Sequence, residues 1–245
     1  MSASCLEPIN SVLATNALIN DATAVVPFEV EACYDICRRC LAIERPSYSN
    51  LNRVIAQVIS SLTIHARSFR AYPNVDVNSL LNILPINSLH FFTASYAPFA
   101  PIGSSLTTAS TMERLIFGCW EPYSMMVKCD PFKGKYMGCY FILKNLTSVA
   151  ETNQVFAKLK HTVSPQFVDW CPTGFRCGQS PAPPSYYLSE ESGDEIMAQS
   201  ERSACMLANQ SAVSQMYERQ TRKFDMMQKK RAFLHHYLAN GMEES

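Results

Sequence analysis

The chain has 245 residues, 47% of them hydrophobic and 17% charged, and its 21 basic side chains balance 21 acidic ones. Such a length buries one large core or two modest ones, and a balanced charge argues against a nucleic-acid partner, which demands a basic excess. No apolar run reaches the roughly 18 residues of a membrane-spanning helix, and ten cysteines without a disulfide-framework spacing read as the reduced thiols of a soluble cytosolic protein.

In chain order, Met1–Val26 is mildly apolar but interrupted by Glu7, Pro8, Asn10, Asn16, Asn20 and Asp21, and the first basic residue is Arg38. No secretory leader is read there. Cys33, Cys37 and Cys40 follow with the spacing that can hold three irons of an iron–sulfur cubane. The same positions share one face of a helix-compatible stretch with Ile36 and Leu41, so the thiols read as core, and no metal is expected.

The strongest predicted helix is Tyr48–Ile64. Leu51, Val54, Ile55, Val58, Ile59 and Leu62 form one apolar stripe, Pro46 stops the preceding element and Ser47 is the expected N-cap. Tyr48 and Asn52, four apart, project from neighbouring turns at the edge of that stripe. A ring can stack on a purine and an amide can match the guanine edge, although such residues also flank ordinary core stripes. Beyond the helix, Leu89–Ala94, Gly134–Leu146, Gln166–Cys171 and Ser203–Ala208 read as strands and Ala150–His161 as a helix. Pro181–Glu201 reads as an exposed loop, and the Gly-free Ser211–Leu238 as one or two helices. His235 and His236 point about 100° apart on a helix and cannot readily share a metal.

The segment Phe167–Phe175 places two Phe, a Trp, a Cys and a Pro-x-Gly turn in nine residues, consistent with a buried strand that breaks at Pro172 and turns at Gly174. Further distinctive pieces are Tyr34-Asp-Ile-Cys-Arg-Arg39, Ile43-Glu-Arg-Pro46, Asn50-Leu-Asn-Arg53, Met126-Val-Lys-Cys-Asp-Pro131, Gly134-Lys-Tyr-Met137, Lys230-Arg-Ala-Phe233 and Gly241-Met-Glu-Glu244. On these residues the chain resembles the α-tubulin family, from about Leu6 to Glu244, corresponding to its middle and C-terminal part.

The resemblance implies an α+β fold, a mixed β-sheet with helices in a two-layer sandwich. It divides the chain into a nucleotide-domain remnant with the core helix (1–62), an intermediate domain (63–208) and part of a C-terminal helical region (209–245). It implies GTP as the bound nucleotide, β-tubulin and the microtubule lattice as partners, and a cytoplasmic, cytoskeletal location. Tyr48 and Asn52 match guanine-contacting residues and Glu7 the ribose-contacting acid. Val30 and Ala3 stand where the family has an Asn and a hydroxyl residue, and no Gly-rich phosphate loop is found among only eight glycines. Asn74, Asp76, Lys128, Asp130, Trp170 and Phe175 match the longitudinal contact surface. The loop at Asn74–Asp76 reaches the next subunit's nucleotide in the family, but its water-polarising Glu is replaced in the Asn78–Ser79 region. No catalytic residue is therefore assigned. The expected role is that of a structural subunit; a GTPase subunit within a longer product and a non-polymerising tubulin-binding module are the alternatives. With its nucleotide domain incomplete, the stripe of the core helix is expected to be exposed and the chain marginally stable.

Overall fold

The computed structural model describes residues 5–67, 81–86, 88–101, 111–145, 149–163, 167–171, 174–180, 197–198 and 200–243. Asn74, Asp76, Asn78, Ser79, Ala3 and most of the Pro181–Glu201 loop lie outside them. The chain forms two compact units, Ala24–Val213 and the pair Met1–Thr23 with Ser214–Ser245.

The larger unit is built on a four-stranded sheet. Its strands are β1 (Phe92–Ala97), β2 (Tyr136–Lys144), β3 (Phe175–Ser180) and β4 (Ser203–Gln210), in the order β1-β4-β2-β3. β4 runs antiparallel to both its neighbours, while β2 and β3 are parallel. A parallel pair needs a crossover connection, and a helix supplies it here. Among the described residues, the unit also holds helices α2 (Val30–Arg39), α3 (Tyr48–Leu62), α4 (Ile64–Arg67), α5 (Met112–Gly118) and α6 (Val149–Val163), α6 lying between β2 and β3 in the chain. The fold is α+β with a mixed sheet, as the sequence implied.

Both faces of the sheet are covered, so the central strands β2 and β4 are buried almost throughout rather than alternating. On one face Phe92, Ala94, Tyr96, Tyr140, Ile142, Cys205 and Leu207 form a core with Cys33, Ile36 and Cys37 of α2 and Leu51, Val54 and Val58 of α3. On the other, Trp120 stacks on Phe141 with ring centroids 5.1 Å apart, and Phe156 of α6 meets Phe141 edge-on at 5.4 Å. Phe167, Tyr136 and Phe175 extend this aromatic cluster. Such pairs add about 0.5–1.5 kcal/mol beyond the area they bury.

The helix α3 begins where expected. Ser47 Oγ accepts the Asn50 backbone N–H at 3.4 Å, and Asn50 Oδ1 accepts the Ser47 backbone N–H at 2.7 Å, a reciprocal capping box. Its stripe is covered, contrary to expectation: Leu51, Val54 and Val58 are at most 3% exposed. The α2 face and the sheet bury it from within the same unit. Ile59 alone of the stripe is turned outward, 46% exposed.

Two strands lie elsewhere than the sequence indicated. Of the expected strand Gln166–Cys171, the described residues 167–171 contribute a single bridge, Phe167 beside Tyr136, after which Cys171 N–H bonds back to Val168 O in a turn. The strand itself is Phe175–Ser180, starting just past Gly174, whose carbonyl accepts the Cys139 N–H at 2.7 Å. A Cβ at Gly174 would lie 2.7 Å from Met137 O, so only glycine lets the chain enter register beside β2. β1 starts at Phe92 because the preceding residues pair with another segment. Val25 N–H bonds to His90 O and Phe92 N–H to Val25 O. Helix α2 falls on the helix-compatible stretch that carries Cys33 and Cys37, while α5, which starts at a Thr111 cap on the Arg114 N–H, has no counterpart among the sequence expectations.

The smaller unit holds α1 (Glu7–Asp21), α7 (Ser214–Gln228) and α8 (Leu234–Ala239). Tyr237 Oη donates to Asn10 Oδ1 at 3.0 Å. Ser211–Leu238 thus contains two helices, separated by left-handed Arg231 (φ 49) and Phe233 (φ 61). A non-glycine residue in that region cannot continue a right-handed helix.

Candidate functional site

Tyr48 is the first residue of α3, fixed there by the Ser47 cap, and its ring is 74% exposed. Asn52 is one turn later and also exposed. Both lie away from the buried Leu51–Val54–Val58 line, so a planar ligand could stack on the ring while the amide meets its edge. Val30, the apolar residue that stands where the resemblance places an Asn, opens α2 and is 50% exposed. Glu7 opens α1 in the smaller unit, half-buried, in the first turn that favours a carboxylate. The glycines, eight in all with no two adjacent, offer no Gly-rich run to aim backbone N–H groups at a phosphate. Of the residues the resemblance assigns to GTP, Tyr48 and Asn52 present a ring and an amide, groups chemically suited to a base.

Lys128 and Asp130 sit in the loop before β2. The Lys128 ammonium lies 3.2 Å from Asp35 of α2, and its backbone N–H donates to Glu29 Oε2 at 2.9 Å. Glu29 N–H in turn donates to Met126 O at 2.9 Å. Glu29 was missed by the sequence reading, since no local signal links it to a residue 99 positions away. The exposed Lys128–Asp35 pair is worth at most about 1 kcal/mol, whereas the backbone bonds to Glu29 hold the loop against α2. Asp130 accepts the Phe132 N–H at 3.1 Å and so caps the short turn Pro131–Lys133.

Trp170 and Phe175 diverge. Trp170 is 60% exposed on the turn after Phe167. Phe175 is half-buried, its ring 4.6 Å from Phe167 and 6.0 Å from Trp120, as part of the internal aromatic cluster. Cys33 and Cys37 are fully buried on the inner face of α2, and burial pushes the Cys33 thiol up to about 11. They behave as small core side chains.

A family model described as the tubulin C-terminal domain matches residues 88–222, more than half of the chain. The chain belongs to the tubulin family. The match spans all four strands and α5 and α6, so the sheet and the helices on its aromatic face are the family's C-terminal domain. The tubulin alpha-1 chain of Arabidopsis thaliana is 43% identical over 245 residues, 100% of this chain and 53% of that relative. This tubulin is thus α-like along its full length, and it spans about half the length of the curated relative it matches. Among the described residues, no helix is long and apolar enough to cross a membrane.

Proposed function

We propose that this chain is a structural, α-tubulin-like constituent of the microtubule cytoskeleton, one that pairs with β-tubulin in the cytoplasm. The observation that carries the reading is the 43% identity to an α-tubulin sustained over the whole chain. In this reading residues 1–62 are a nucleotide-domain remnant, 63–208 the intermediate domain and 209–245 part of the C-terminal helical region. Trp170, Lys128 and Asp130 belong to the longitudinal contact, together with Asn74 and Asp76. Phe175 supports that surface from inside.

GTP recognition rests on Tyr48, Asn52 and Glu7 alone, so the nucleotide site is degenerate within this sequence. Hydrolysis at the contacted subunit fails for a separate reason. An amide at Asn78 or a hydroxyl at Ser79 is not basic enough near pH 7 to serve where a carboxylate general base is needed.

The test is co-sedimentation with purified αβ-tubulin during polymerisation, with phosphate release followed in parallel. The chain is expected in the polymer pellet, Trp170→Ala is expected to lower the pelleted fraction, and Asn78→Glu or Ser79→Glu to raise phosphate release by about 10²-fold or more. A chain that stays in the supernatant at every polymer concentration sinks the structural reading. Fast release without either substitution sinks the hydrolysis part alone.

A further inference from the structure

We draw no further inference here: the strongest candidate, the exposed apolar face of α1 at Leu13, Leu18 and Ile19 in the smaller unit, carries nothing because no feature of the structure shows what covers it.

Discussion

At the residue scale, Gly178 of β3 is packed too closely to take a side chain without a neighbour moving. A Cβ there would fall 2.4 Å from Tyr140 Oη and 2.7 Å from His65 Nε2, both on buried side chains. Gly178→Ala is expected to cost about 1–3 kcal/mol by overpacking, read as a lower urea midpoint at unchanged slope. Tyr140 Oη has no hydrogen-bond partner among the described residues, so Tyr140→Phe is expected to be neutral or stabilising. In that background the Gly178→Ala cost is expected to shrink; an equal cost in both backgrounds would show that Tyr140 is not the obstruction. Burial also governs the thiols. Desolvation raises Cys33 from 9.0 to about 11, and Cys119 and Cys177 to about 12. The unfolded chain therefore loses these protons first, and the stability they contribute is present below pH 9.0 and lost as pH rises toward 12. Urea melts under reducing conditions are expected to show stability falling over that window, and a flat profile would contradict it.

At the element scale, α3 depends on its start as much as on its stripe. The capping box satisfies donors that a helix N-terminus otherwise leaves open. Ser47→Ala is expected to destabilise by about 1 kcal/mol, measured by denaturant unfolding. Adding Asn50→Ala should then cost less than it does alone, because the two side chains serve each other's backbone. Full additivity of the two losses would mean that the box does not act as a unit. The same helix presents Tyr48 and Asn52, so its first turn sets both the packing of the stripe and the placing of the candidate base contacts.

At the scale of the whole molecule, local stability is expected to be uneven. Every residue of β4 is buried and β2 is nearly so, while α7 and α8 carry no buried residue. Local opening is easiest where few apolar contacts must be broken. Native-state hydrogen exchange is therefore expected to find β2 and β4 amides slowest and α7 and α8 amides exchanging orders of magnitude faster. Protection of α7 equal to that of β4 would overturn this ranking.

The sequence by itself determined the tubulin family, the α+β class, the capped helix at Tyr48 and the strands near Gly134–Leu146 and Ser203–Ala208. These are carried by local signals: a sustained 3.6-residue period, a cap, and long apolar runs bounded by turns. It also marked Cys33 and Cys37 as core, because their spacing alone places them on one helix face. Only the tertiary structure decided the rest. The third strand lies beyond Gly174 rather than before Pro172, since a close approach to Met137 selects the register and no neighbour in sequence reports it. The stripe of α3 is buried because the neighbouring helix α2 folds back on it and the sheet meets it from distant parts of the chain. Trp170 and Phe175, equally aromatic and five residues apart in sequence, separate into an exposed side chain and a half-buried one through contacts with Phe167 and Trp120. Lys128 and Glu29 follow the same rule: local physics shows which groups are available, and packing across the fold decides which of them meet.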